Sequence, residues 1–187
     1  MSSSHSELYP WDAINYFPKG IIDLKQGSYF LLSPDSFIQK VFFSKISESR
    51  KQELQYEVIL GEEFSIDWIE RNLLTLDLFQ EKKAILVLNA DKISIESCDY
   101  FLEKKDSIMN HCLILSSLKT CDFYKKCKKL EFVETFEVMA PKFWEGQKLL
   151  SFFCDIIGIR LAYDVQNMIS KANTDNINIL LKTFLVF

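Results

Sequence analysis

Apolar residues in this chain fall into short unbroken runs separated by stretches of helical spacing. The runs are Tyr29–Leu32 (YFLL), Tyr56–Leu60 (YEVIL), Ala84–Leu88 (AILVL) and Cys112–Leu115 (CLIL), with a weakly alternating stretch at Phe132–Val138. Runs of this length predict strands, and AILVL, with no polar alternation, predicts a strand buried on both faces. Between them, Phe37, Ile38, Val41, Phe42 and Ile46 share a helical face. So do Ile66, Ile69, Leu73 and Leu76, then Ile95, Cys98 and Leu102. Cys121–Lys129 fits a further short helix. Ser33-Pro34-Asp35-Ser36 carries turn and cap chemistry, and Ser65 is placed to cap the helix that follows it. Strands alternating with helices predict an α/β domain built on a mainly parallel five-stranded sheet flanked by helices.

The two ends read differently. Residues 1–28 hold Pro10, Pro18, Gly20 and Gly27 and form an N-terminal extension, with a short helix near Trp11–Phe17. Pro141 breaks the alternation, which puts the α/β domain at 29–140 and a small, incomplete helical domain at 141–187. In that domain Phe143, Gln147, Leu150, Cys154 and Ile157 line one helix, ending at Gly158 as a C-cap glycine dictates. Leu161, Val165, Met168 and Ala172 line a second; Asn173-Thr174-Asp175 can cap a third carrying Ile177, Leu180, Leu181 and Phe184.

Composition narrows the function. An apolar fraction of 48% over 187 residues suits a buried core, and a net charge of −4 argues against broad attraction to DNA or anionic membrane. No apolar run approaches ~18 residues, so no membrane span is expected. The start, MSSSHSELYP, lacks the basic and apolar regions of a signal peptide. Five cysteines without a CxxC pair suit a reducing cytoplasm, and two histidines make a zinc site unexpected.

An α/β sheet with a helical appendage raises the question of a nucleotide-binding ATPase. A phosphate loop needs glycines, a lysine and a Ser or Thr after the first strand. Here that place reads Leu31-Leu32-Ser33-Pro34-Asp35-Ser36-Phe37, without glycine, and the first lysine is Lys40. The third strand ends Leu88-Asn89-Ala90-Asp91-Lys92, without the acidic pair that holds magnesium. No GxSxG, HExxH or GxGxxG is present. His111 beside Cys112 opens an apolar strand, where adjacent side chains face opposite ways, so a nucleophile pair is not expected. The reading is therefore no catalytic residues, no nucleotide site, no metal and no cofactor.

Two charge features remain. Between Glu48 and Glu81 acids far outnumber bases, which disfavours contact with phosphates. Lys125, Lys126, Lys128 and Lys129 cluster, either as the solvated face of a short helix or as a weak or indirect contact to DNA.

Ile66–Leu88 (IDWIERNLLTLDLFQEKKAILVL) holds the adjacent pair Leu78-Phe79 between a helix and a strand, followed by the charged step Gln80-Glu81-Lys82-Lys83. In its order and spacing from Tyr29 onward, the chain resembles the delta subunit of bacterial DNA polymerase III, the clamp-loader arm. The matching features are the strand Tyr29-Phe30-Leu31-Leu32, the acid-bearing loop Ser33-Pro34-Asp35-Ser36, the helix at Ile66–Leu76, Leu78-Phe79, the strand Ala84–Leu88 and the helices after Pro141. The resemblance implies an AAA+/RecA-like sheet that has lost its nucleotide site, followed by a helical lid domain. It implies a cytoplasmic, non-catalytic part of a nucleotidyltransferase holoenzyme in DNA replication. Its expected partners are the sliding clamp (the beta subunit) and the other clamp-loader subunits. In that family an exposed Leu-Phe pair enters a hydrophobic pocket on the clamp, and Leu78 and Phe79 occupy the matching positions, with Leu74 and Thr75 flanking. Leu74 stands where the family often has Gln.

By residue type alone, a Leu-Phe pair belongs in a core more often than on a surface. Extended backbone between helix and strand opposes burying both side chains at once, and with the resemblance the exposed hook is the favoured reading. Rival readings are a divergent P-loop-like NTPase and an AAA-like adaptor that never meets a clamp.

Overall fold

The computed structural model describes residues 8–15, 27–50, 55–74, 83–104, 108 and 112–172. Five strands form one sheet: β1 (Gly27–Leu32), β2 (Gln55–Leu60), β3 (Lys83–Leu88), β4 (Cys112–Ser117) and β5 (Val133–Glu137). Their spatial order is β2-β3-β4-β1-β5. Every pairing is parallel, so the expected α/β sheet is present in its all-parallel form. Helices α1 (Ser36–Arg50), α2 (Ile66–Ile69), α3 (Ile95–Glu103) and α4 (Asp122–Cys127) fill the crossovers, and α5 (Gly146–Ile157) and α6 (Tyr163–Ala172) follow the sheet.

The pleat sorts the strand residues into two cores. Tyr29, Leu31, Ala84, Leu86, Cys112 and Ile114 face one layer, against Ile38, Val41 and Phe42 of α1 and Leu149, Phe152 and Phe153 of α5. Phe30, Ile85, Val87, Leu113 and Leu115 face the other, against Phe64, Ile69, Leu73, Phe101, Phe123 and Tyr124. Burial on both sides explains the unbroken apolar runs of the central strands. Edge strand β5 is buried only at Val133 and Phe136, which explains its weak alternation.

Residues before β1 also join the sheet. Leu8 bridges Val138 in parallel, with Leu8 N donating to Glu137 O (3.1 Å) and Met139 N donating to Leu8 O (2.8 Å). Residues 10–15 are helical, and Ala13 is buried in the first core.

Three expected stripes are displaced. Leu161 precedes α6, so a helical phase counted from it fails: Leu161 and Ile169 pack against Leu150 and Cys154, while Val165 and Met168 are exposed. In α5, Leu150 and Cys154 are buried as expected, but Leu149, Phe152 and Phe153 carry the packing against the sheet. Ile95 is the first residue after the Ser94 cap and lies in solvent, so α3 buries Cys98 and Phe101 instead. Gly158 ends α5 in the left-handed conformation (φ 77°), as its sequence position predicts. The third helix expected after Asn173 lies outside the described residues.

A close backbone approach at the ends of β2 and β3 shapes the edge of the sheet. A β-carbon on Gly61 would sit 2.2 Å from the carbonyl oxygen of Asn89. Asn89 is itself left-handed (φ 55°), a conformation Asn tolerates better than most residues. Gly61→Ala is therefore expected to destabilise the fold by about 1–3 kcal/mol, the usual range for forced overpacking. A urea melt of the purified variant measures this, and an unchanged midpoint would mean that the two loops separate freely.

Candidate functional site

In parallel α/β sheets, ligands bind outside the carboxyl ends of the strands. Here that region is built by the loop after β1, the ends of β3 and β4, and the start of α1. Ser33 is fully buried: its N–H donates to Ser117 O (3.0 Å) and its hydroxyl donates to Asp35 O (3.0 Å). The Asp35 carboxylate accepts from Phe37 N–H at 2.7 Å, and the Asp35 carbonyl accepts from Gln39 N–H at 3.1 Å. The start of α1, where a phosphate would be received, thus carries the chain's own anion. Pro34 supplies no N–H to this loop. Buried Gln39 donates its side-chain amide to the Ser116 hydroxyl, tying α1 to β4.

The neighbouring groups are also engaged within the fold. The Ser117 hydroxyl donates to Lys119 O (2.6 Å) and accepts from Lys119 N–H (3.1 Å), and Asp91 Oδ1 lies 3.3 Å from the same oxygen. A cavity of about 340 Å³ opens beside the loop, lined by Ser33, Pro34, Thr120, Glu137 and Met139. Its charged group is Glu137, which accepts from the Tyr124 hydroxyl (2.9 Å) and from Lys128 (3.0 Å). A triphosphate needs a cradle of donors, whereas this place presents carboxylates and a proline. The residues do not fit a nucleotide. Millimolar Mg-ATP is expected to leave the melting temperature unchanged, in the wild type and in Asp35→Ala alike. The substitution removes the helix cap at a cost of about 0.5–2 kcal/mol without creating a phosphate cradle. A melt shifted upward by Mg-ATP would contradict this.

A second cavity, about 350 Å³, lies between α3 and α4 and is lined by Asp91, Cys98, Cys121, Asp122 and Lys126 among others. Burial pushes the Cys98 thiol up to about 12 and raises Cys121 and Cys127 as well, so these thiols stay protonated at neutral pH. Cys112 is buried in β4, and its sequence neighbour His111 lies outside the described residues. Among the described residues, no group of three or more His, Cys, Asp or Glu side chains is placed to hold a metal.

The expected hook region is described up to Leu74. Ser65 caps α2, its hydroxyl accepting from Trp68 N–H (3.2 Å). The helix then widens into a π-helical turn at Glu70–Leu74. Ile69 and Leu73 hold this segment to the second core, and Leu74 packs at its margin, half-buried. On the outer side, the Tyr100 hydroxyl of α3 donates to Glu70 Oε1 at 2.7 Å, and this bond raises the tyrosine pKa. Sequence reasoning missed that brace, since neither residue stands in a motif and the π-helical turn has no periodic signature. Thr75, Leu78 and Phe79 lie outside the described residues.

Three of the four clustered lysines are paired with acids. Lys125 pairs with Asp122 (3.0 Å), Lys126 with Asp99 (2.5 Å) and Lys128 with Glu137 (3.0 Å). Such surface pairs add little stability, but they lower the net charge offered to a phosphate backbone.

No protein-family profile and no curated protein sequence matches this chain. Solved structures do match in fold. Domain III of the replication initiation protein DnaA from Thermotoga maritima superposes with a TM-score of 0.59 at 10% identity, over 93% of this chain and 80% of that one. The DNA clamp loader delta protein of Bacillus subtilis gives 0.58 at 12% identity, over 86% and 51%. The Holliday junction branch migration motor RuvB of Thermotoga maritima gives 0.59 at 10% identity, over 92% and 58%. This chain thus spans about half the length of the delta protein. All three have AAA+ folds, and at these identities the likeness is one of architecture. The chain has an AAA+/RecA-like α/β fold. No helix among the described residues is long and apolar enough to cross a membrane.

Proposed function

We propose that this chain is a clamp-loader delta subunit, or its N-terminal part, acting in DNA replication by binding a sliding clamp and stabilising its opened interface. The observation that carries the reading is the Asp35 carboxylate on the N-terminus of α1, 2.7 Å from Phe37 N. An AAA+-like sheet whose phosphate position is filled by its own cap suits a loader arm that leaves ATP hydrolysis to partner subunits. The fold likeness to a clamp loader delta protein agrees with this reading, and the choice over an ATP-hydrolysing alternative rests on the Asp35 cap.

The work done would be mechanical. Leu78 and Phe79 would enter an apolar pocket on the clamp, flanked by Leu74 and Thr75, with the other loader subunits as further partners. Removing a Phe side chain from water contributes roughly 1.5–3 kcal/mol, enough for two residues to dominate a small interface. The test is capture of a purified bacterial sliding clamp by the immobilised full chain. Capture supports the proposal, and failure to capture returns the chain to the class of AAA-like adaptors.

A further inference from the structure

The two edges of the sheet are finished differently. At the β5 edge the chain's own Leu8 pairs with Val138, and the helical residues 10–15 follow it. At the other edge stands β2, whose one strand neighbour among the described residues is β3. Its register with β3 runs from Gln55 to Leu60 without a bulge. The strand holds no lysine and no proline, residues that commonly block such an edge. In a parallel ladder, alternate residues turn their backbone groups to opposite sides. The Leu60 N–H donates to Glu63 Oε2 at 2.7 Å, so Leu60 faces away from β3. Val58, two residues earlier, therefore also presents its N–H and carbonyl outward. The pleat sorts the side chains as well. Val58 (50% exposed) and Leu60 (44%) stand on the side of the first core, in register with Leu86 and Leu88 but beyond its cover. Glu57 shares the opposite side with buried Ile59. Exposed Glu62 and Glu63 follow in the turn, with Glu62 paired to Lys92 at 2.6 Å.

One short stretch of chain thus carries an open backbone edge, an apolar row on one side and carboxylates on the other. That combination selects a partner. Acids repel a phosphate backbone, which disfavours nucleic acid. A second copy of the chain would bring the same acidic edge against itself, and like charges across a strand pair are destabilising. A segment whose apolar and basic side chains alternate satisfies both sides at once. We propose that β2 receives, by strand addition, an extended segment of a partner protein in which apolar residues alternate with lysine or arginine. Its backbone pairs with Val58. Its apolar side chains lie along Val58 and Leu60, and its basic side chains lie on the Glu57 side. The proposal does not rest on the clamp reading.

The experiment is fluorescence anisotropy of a labelled peptide of about ten residues, a full strand length, alternating valine and lysine and titrated with the full chain at low salt. A peptide of the same composition with its valines and lysines in separate blocks is expected to bind far more weakly, as is one alternating valine and glutamate. Val58→Pro removes the outward N–H and spares the bonds to β3, a substitution that an edge strand tolerates. It is expected to weaken binding about tenfold or more while the urea midpoint stays close to that of the wild type. A second arm leaves the protein unaltered. Methylating the peptide nitrogens at the valines alone or at the lysines alone is expected to abolish binding for one of the two sets, since only alternate amides face β2. Glu57→Gln is expected to weaken binding up to about fivefold and to reduce its salt dependence. Leu78→Ala with Phe79→Ala is expected to bind the peptide as the wild type does. Absence of wild-type binding, equal affinity for the block peptide, unchanged affinity in a folded Val58→Pro, or indifference to methylation of either set would each overturn the proposal. So would a dimer of the chain that Val58→Pro abolishes, which would give the edge to a second copy.

Discussion

Replacing Leu78 and Phe79 together with alanine is expected to abolish capture of a bacterial sliding clamp, with an affinity loss of about a hundredfold or more. Interface anchors of this type cost about 2 kcal/mol or more each on truncation, and every 1.4 kcal/mol is tenfold in affinity. The helix that leads toward the pair has anchors of its own. Ile69 and Leu73 are buried beneath that helix, and Tyr100 grips Glu70 from α3. The double variant is therefore expected to keep the far-UV circular dichroism spectrum and urea midpoint of the wild type. Surface plasmon resonance against immobilised clamp, run beside a urea melt, reads both quantities. Full-strength binding by the variant, or loss of its fold, would remove the hook from the account.

The largest stability effect is expected at Phe101, which is fully buried in α3. Its ring lies edge-on to Phe123 (5.8 Å, 89°) and Phe64 (5.9 Å, 61°), with Phe132 at 6.4 Å. Those contacts join the segment leading into α2, the helix α4 and the stretch before β5 under one side of the sheet. Phe101→Ala removes the shared partner and leaves a cavity that three separate elements must close, so a cost of about 3–5 kcal/mol is expected. The variant is expected to unfold at a much lower urea concentration. A loss below about 1 kcal/mol would show that the cluster collapses around the gap.

Much of this fold was legible because the strands announce themselves. A central parallel strand has no solvent face, so AILVL and CLIL carry no polar alternation and read directly as interior. The filled phosphate position was legible for a related reason: a Pro-Asp step at a helix start has one good local solution, the Asp cap. Features that depend on distant partners were not legible. Lys126 meets Asp99, and Lys128 meets Glu137 across the turn into β5, pairings that no local spacing encodes. The stack of Tyr9 on Trp11 under Lys148 is assembled by the Leu8 bridge, which joins opposite sides of the domain in sequence. Helix phase failed at Leu161 because that residue stands outside α6, and at Ile95 because the first turn of α3 projects past the core. The proposed hook rests on resemblance alone, since an apolar pair at a polar boundary fits a core as well as a pocket.

The Asp35 cap has a consequence for timing. A phosphate arrives and departs, and a loop that holds one can exist in two forms that alternate with the fuel supply. A carboxylate belonging to the chain never leaves. On the proposed reading, no phosphate fills and empties the position between β1 and α1, so the rhythm of the loader would be set by the partner subunits that hydrolyse ATP.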